Sequence, residues 1–206
     1  MGNTEGSRVI SQVFRTRKNL KLVLSDEQMS IVLGSILGDA YVHPLGKICF
    51  EQAKQQKNYL VWKHVKLKNL ASPKIARVVR VDKRNQKKTI SYRFFLRQYF
   101  RSLRELFYSN GNKIIPKEIN EWLNPLFISV WYMDDGHLDK GKSPLLATDA
   151  FSQKDVAMLA SLLEAKFELQ VKVTSKGRLR IRSDSTSRFF QLVSPWIHPD
   201  LRYKLP

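Results

Sequence analysis

From Ser25 onward apolar residues recur with helical spacing. Ile31, Val32, Leu33, Ile36 and Leu37 follow a Ser25 N-cap and the acidic first-turn residues Asp26 and Glu27. Gly38-Asp39 closes this helix. After a turn at Pro44-Leu45-Gly46, Ile48 and Phe50 alternate with Lys47, Cys49 and Glu51, which predicts a strand. Helical spacing returns over 57–71 (Leu60, Val61, His64, Leu67, Leu70) and stops at Ser72-Pro73. Residues 74–97 read as a hairpin turning at Arg84-Asn85-Gln86, and a helix over about 99–108 ends at Asn110-Gly111.

The same order then repeats. Pro125 opens an apolar helix that runs through Ile128, Trp131 and Tyr132 to Asp135-Gly136. A strand pair flanks Lys140-Gly141-Lys142. Ser152 caps a helix carrying Val156, Leu159, Leu162 and Leu163. A hairpin (Val171 and Val173, then Leu179 and Ile181, around Ser175-Lys176-Gly177) leads to a helix over roughly 185–193. Each half therefore reads as helix, two strands, helix, two strands, helix, an α+β chain of two pseudo-symmetric αββαββα halves. The boundaries drawn are a basic arm over 1–25, a first half over 26–110, a linker over 111–124 and a second half over 125–206.

Charge sharpens this picture. The 206 residues hold 36 Lys and Arg against 18 Asp and Glu, a net charge of +18. Residues 47–110 alone carry 17 basic and 3 acidic side chains, net +14, whereas 26–46 carry three acids and no base. Such segregation is the footprint of a partner with a phosphate backbone, gripped harder by the first half than by the second. No apolar run approaches the ~20 residues of a membrane span, and no basic amphipathic face suits a membrane surface. The single cysteine, Cys49, excludes an internal disulfide and a multi-cysteine zinc site. The picture is an intracellular protein, of an organelle (chloroplast or mitochondrion) or of a prokaryotic cytoplasm. Arg8, Arg15, Arg17, Lys18 and Lys21 form an arm for nucleic acid or, in a second reading, for targeting.

The first helices of the halves invite comparison. Val32-Leu33-Gly34-Ser35-Ile36-Leu37-Gly38-Asp39-Ala40 aligns with Ile128-Ser129-Val130-Trp131-Tyr132-Met133-Asp134-Asp135-Gly136, and the halves close alike on Lys113-Ile114-Ile115-Pro116 and Lys204-Leu205-Pro206. An aspartate at a helix C-terminus is electrostatically disfavoured, because the dipole is negative there. Two such ends side by side would be held together by a divalent cation, with Asp39 and Asp135 as its ligands. Phosphodiester hydrolysis is chemistry that such cations serve.

The paired nonapeptides resemble the motif of the LAGLIDADG homing endonucleases, and their order and spacing resemble its single-chain, two-motif members, from Ser25 to the C-terminus. The resemblance implies motif helices packed at the centre and a saddle of antiparallel sheets over DNA. It implies Mg²⁺, with Mn²⁺ or Ca²⁺ as substitutes in binding, at Asp39 and Asp135, helped by the carbonyls of Gly38 and Asp134. It places Lys113 and Lys204 near the reacting phosphates, where each orients water or stabilises charge; the other reading makes them ordinary surface lysines. Leu37 and Met133 stand where the motif has its first acid, and Val130 and Asp134 replace small residues. The helix contact is therefore expected to be looser on the second side than Gly34 and Gly38 allow on the first. His137 reads as a polar turn residue, since its counterpart is Tyr41. His43, His64 and His198 lack metal-ligand spacing, and Trp62, Trp122, Trp131 and Trp196 fall on apolar faces.

The strands carry the expected DNA contacts. Lys172, Thr174, Arg178, Arg180 and Arg182 alternate with apolar residues, making one hairpin face basic with no acid among the five; Lys140, Lys142 and Lys176 add to it. In the first half Ser91 and Arg93 alternate with apolar partners. Arg77, Arg80, Lys83, Arg84, Lys87 and Lys88 crowd the tip, and Lys47 and Lys54 flank the neighbouring strand. A two-stranded ribbon suits the major groove, where Arg and Lys take guanine edges and Gln52, Gln86 or Thr148 read others. The leading reading is a monomeric double-strand DNA endonuclease cutting across the minor groove of an extended target. The alternatives are an RNA maturase that assists intron splicing and a non-catalytic DNA-binding protein on the same scaffold.

Overall fold

The computed structural model describes residues 14–15, 21–97, 99–139 and 142–206. Most of the basic arm lies outside these. Its described part is a two-stranded pair, β1 (Phe14–Arg15) with β2 (Lys21–Leu22).

Helix α1 (Asp26–Leu37) starts at a capping box: the Ser25 hydroxyl accepts from the Gln28 amide, and the Gln28 side chain accepts from the Ser25 amide. Strands β3 (Tyr41–Val42) and β4 (Ile48–Ala53) follow, then α2 (Lys57–Lys66), β5 (Ala76–Val81) and β6 (Lys88–Leu96). They form a four-stranded antiparallel sheet in the order β3-β4-β6-β5. Helix α2 stops at Leu67, five residues before the expected Ser72-Pro73, and irregular turns cover the remaining apolar positions. Next come α3 (Arg101–Phe107), a short hairpin of β7 (Tyr108–Ser109) and β8 (Asn112–Lys113), and α4 (Ile119–Trp122). Ile115, Ile119 and Leu123 of this stretch are buried.

Helix α5 (Pro125–Asp135) is capped by the Asn124 side chain, which accepts from the Phe127 amide. Strands β9 (Gly136–Asp139) and β10 (Ser143–Leu146), helix α6 (Gln153–Phe167) with its Ser152 cap, strands β11 (Val171–Val173) and β12 (Leu179–Ile181) and helix α7 (Thr186–Val193) complete the half. A 3-10 segment, Pro199–Lys204, follows. The second sheet has the order β9-β10-β12-β11, so the two sheets have one topology. The fold is α+β with antiparallel sheets.

Helices α1 and α5 lie against each other in the middle of one continuous core. Both are apolar nearly all round and buried along most of their length, as central helices must be. Among the described residues no helix is long and apolar enough to cross a membrane.

Two further expectations fail in detail. His137 is not a turn residue: it sits on β9 opposite Leu145, exposed, as Tyr41 is exposed on β3 opposite Cys49. Trp196 is 43% exposed rather than packed, because it falls in a turn after α7 instead of on a helix face.

Candidate active site

The site begins with two glycines. A Cβ on Gly34 would lie 2.6 Å from the Phe127 carbonyl oxygen, and one on Gly38 would lie 2.4 Å from the Asp134 Cβ. Only residues without a Cβ allow α1 to come this close to α5. The expected loosening by Val130 and Asp134 is absent. Each bulkier residue of α5 faces a glycine of α1, so size on one helix is matched by its lack on the other.

This contact brings the two motif aspartates within electrostatic reach. Asp39, just past α1, is exposed, and Asp135, the last residue of α5, is half-buried. Burial first, then the negative charges of Asp39 and Asp134, push the Asp135 carboxyl up to about 6. A carboxylate crowded by like charges in this way suits a cation. Among the described residues no cluster of three or more His, Cys, Asp or Glu side chains could cage a metal. Two carboxylates with nearby carbonyls instead match Mg²⁺, which keeps several waters and takes one or two carboxylates together with substrate phosphates. The donor set fits that ion.

Lys113 and Lys204 are not surface lysines. The Lys113 Nζ donates to the carbonyl oxygens of Ile36 (2.8 Å) and Gly38 (2.9 Å). The Lys204 Nζ donates to those of Met133 (2.6 Å), Tyr132 (3.3 Å) and Asp134 (3.5 Å). Each ammonium thus caps the carbonyl end of one motif helix, where the dipole favours a cation. Burial lowers both pKa values, against the pull of the nearby aspartates. The Gly38 and Asp134 carbonyls accept these hydrogen bonds and keep a second lone pair each.

Asp134 does more than lend a carbonyl. Its side chain is fully buried and its two oxygens lie 2.7 and 2.8 Å from the Lys63 Nζ, on α2 of the other half. The Gln52 Nε2 donates to Asp134 Oδ1 (3.2 Å) and to Asp39 Oδ2 (2.8 Å). Facing two carboxylates, that amide must present its NH₂ end, which fixes its orientation. Burial pushes the Asp134 carboxyl up while Lys63 pulls it down. Gln52 is 4% exposed, so it is not a groove-reading side chain: β4 turns it inward, beside Tyr92 on the helix-bearing face.

The other expected contacts divide by face. Strand register puts Cys49, Glu51 and Ala53 with Ser91, Arg93 and Phe95 on the face of the first sheet that carries no helix. Arg80 belongs to it, opposite Thr89. There Arg80 forms an ion pair with Glu51, which also accepts from the Ser91 hydroxyl and is held below the usual carboxylate range by the guanidinium. The Lys47 ammonium lies 3.7 Å from the centre of the Phe95 ring. A cavity of about 370 Å³ joins Asp39 and Gln52 to Glu51, Arg80 and Ser91. Lys54, Lys83, Arg84, Gln86 and Lys87 are exposed. Arg77 and Lys88 are exposed too; paired with Tyr92 and Val81, they stand on the helix-bearing side of the sheet, since facing alternates along a strand.

In the second sheet, Thr148 is 1% exposed and its hydroxyl donates to the Gly177 carbonyl, so it reads nothing in a groove. The hairpin is less uniformly positive than its sequence implies. Arg178 pairs with Asp149 (2.9 Å), Arg180 with Asp139 (2.8 Å) and Arg182 with Asp184 (3.6 Å), acids contributed by other strands and turns. Lys142, Lys172 and Lys176 are exposed, Thr174 accepts from the Arg178 amide, and Lys140 lies outside the described residues.

A profile of the LAGLIDADG DNA endonuclease family matches residues 29–189. The chain belongs to this family. It is 29% identical to the cytochrome b mRNA maturase bI2 of Debaryomyces hansenii, over 91% of this chain and 76% of that one. Against the maturase of the same name from Saccharomyces cerevisiae it is 30% identical over 86% of this chain, but it spans only 47% of that relative. A probable intron-encoded endonuclease 1 of Wickerhamomyces canadensis is 28% identical, over 95% and 90% of the two chains. The structure is similar to that of the homing endonuclease I-WcaI bound to its DNA recognition sequence, with a TM-score of 0.81, 25% identity, and coverage of 90% of this chain and 88% of that one.

Lys63 is the site residue that sequence reading missed, and Gln52 was read for a groove contact instead of this network. One signal was available. Asp39 and Asp135, Gln52 and Thr148, and Lys63 and Leu159 are each 96 residues apart, so the duplication itself shows where the halves differ.

Proposed function

We propose that this chain is a single-chain, two-motif LAGLIDADG protein that hydrolyses both strands of a DNA duplex at a specific extended site, acting as a monomer. The observation that carries the reading is the juxtaposition of Asp39 and Asp135 at two helix ends packed through Gly34 and Gly38. The halves, 26–110 and 125–206, each supply one aspartate and one sheet. The helix-free faces of the sheets and the exposed tip lysines take the duplex, through contacts to phosphates and to base edges.

Asp39 and Asp135 would hold Mg²⁺, with the carbonyls of Gly38 and Asp134 near; bound there, the ion supplies charge neutralisation and an acidified water. The chain's own groups do the rest. Lys113 and Lys204 hold the carbonyl ends in place and add positive charge beside the reacting phosphates. Gln52 fixes the rotation of the Asp39 carboxylate.

A second reading, a maturase binding intron RNA, draws support from the maturase names of two relatives. Those names, concerning cytochrome b mRNA, also support an organellar setting. Retention of both aspartates favours the nuclease, because a pure RNA binder has no chemical use for them.

The test uses duplexes selected for binding from a randomised library. With Mg²⁺ the protein should cut both strands, and EDTA should stop cutting; affinity should fall steeply with salt, by about 0.9 logarithmic units per contacted phosphate for each tenfold rise. Tight binding without cutting in any divalent cation would overturn the nuclease reading in favour of the binding ones.

A further inference from the structure

The polar chain from Lys63 through Asp134 and Gln52 to Asp39 exists on one side of the molecule only. Its members other than Asp39 each have a different residue 96 positions away in the duplicated half: Leu159 for Lys63, Thr148 for Gln52 and, in the first helix, Gly38 for Asp134. Leu159 is fully buried and apolar, and the Thr148 hydroxyl is taken by the Gly177 carbonyl. The two motif aspartates therefore sit in unlike settings. Asp39 has one oxygen held at 2.8 Å by an amide that is itself held by a buried, doubly bonded carboxylate.

An ion pair this deep is a poor way to gain stability, since well-packed apolar residues usually do as well. Its effect here is directional. Lys63 donates to both Asp134 oxygens and stops that carboxylate rotating. The fixed Asp134 fixes the Gln52 amide, and Gln52 fixes Asp39. Every link is buried except the last, which reaches the exposed aspartate. Preorganisation of a charged ligand speeds a step in which charge develops.

We propose that Lys63 and Asp134 are positioning residues that act through Gln52 on Asp39, so that the two strands of the duplex are cut at unequal rates. The proposal rests on the nuclease reading above. The strand served by Asp39 is cut first, and a duplex nicked on that strand is the intermediate.

The experiment follows each strand separately in single-turnover cleavage of an end-labelled duplex selected as above. It compares the wild type with K63L/D134A, which removes both buried charges together and leaves Gln52 without its inner acceptor. The Ala methyl occupies the place that the Asp134 Cβ already fills opposite Gly38. The expected result is that the faster strand slows at least about tenfold while the slower one stays within about threefold. K63L/D134N, which keeps an oxygen for Gln52, should recover most of the lost rate.

A readout besides cleavage is the calorimetric titration of the protein–DNA complex with Ca²⁺: one binding affinity should weaken in K63L/D134A and not in K63L/D134N. Equal slowing of both strands, unchanged strand rates, or identical Ca²⁺ titrations in the two variants would overturn the proposal. If the wild type cuts neither strand of any selected duplex, the nuclease reading is what fails, and the strand order with it.

Discussion

Asp39→Asn and Asp135→Asn each lower double-strand cleavage at least about a thousandfold, equivalent to about 4 kcal/mol of transition-state stabilisation. Asparagine keeps the size of the side chain and, at position 39, an acceptor oxygen for the Gln52 amide, but not the charge a divalent cation needs. The glycine-mediated contact between α1 and α5 does not involve either carboxylate, so both variants should fold. DNA affinity should hold within a few fold, because it rests on the basic side chains of the sheets. Asp135→Asn carries a second signature in the metal-free protein. The Asp135 pKa of about 6 lies above its ordinary value, so the ionised group destabilises the fold at neutral pH, and that stability deficit grows as pH rises from about 4 to about 6. The variant should therefore melt higher than the wild type at pH 7 and gain nothing at pH 4. Thermal melts at the two pH values, beside cleavage and binding assays, check all three statements. Full cleavage by either variant would remove the carboxylates from the mechanism.

Lys63→Met is expected to have the largest effect on stability. The Lys63 and Asp134 side chains are 1% and 0% exposed, and breaking such a pair from one side strands a carboxylate in the core, at a cost of about 3–5 kcal/mol. Removing both charges together in K63L/D134A should cost far less, about 1–2 kcal/mol, because desolvation is relieved along with the attraction. Urea unfolding of the wild type, the single variant and the double variant measures the difference. A single variant as stable as the double one would mean that the two charges are not coupled.

Much of the fold could be read from the chain because its devices are local. The Ser25, Asn124 and Ser152 caps, the terminating Gly38 and Gly136 and the period-two alternation of β4 and β6 each act within a few residues. Duplication then supplied the topology, which single helices and strands do not specify. The paired aspartates were visible for the same reason: an acid at the wrong end of a helix is anomalous once and meaningful twice.

What escaped depends on distance across the fold. Gln52 is on the polar side of any composition count, but the alternation of Ile48, Phe50 and Gln52 puts it on the buried row. Lys63 stands in the apolar stripe of α2, three residues after Leu60 and four before Leu67, where an isolated lysine needs a partner. That partner is 71 residues away in the other half. Asp149 and Asp139, which temper Arg178 and Arg180, likewise lie far along the chain, so the second sheet's charge could not be judged from its hairpin alone.

The central claim is that α1 and α5 bring Asp39 and Asp135 together to hold a divalent cation against DNA. An anomalous-difference map of the DNA complex crystallised with Mn²⁺ tests it most directly. A manganese peak at the two carboxylates is the predicted result. A complex with DNA seated on the sheets and no peak at Asp39 or Asp135 would contradict the claim.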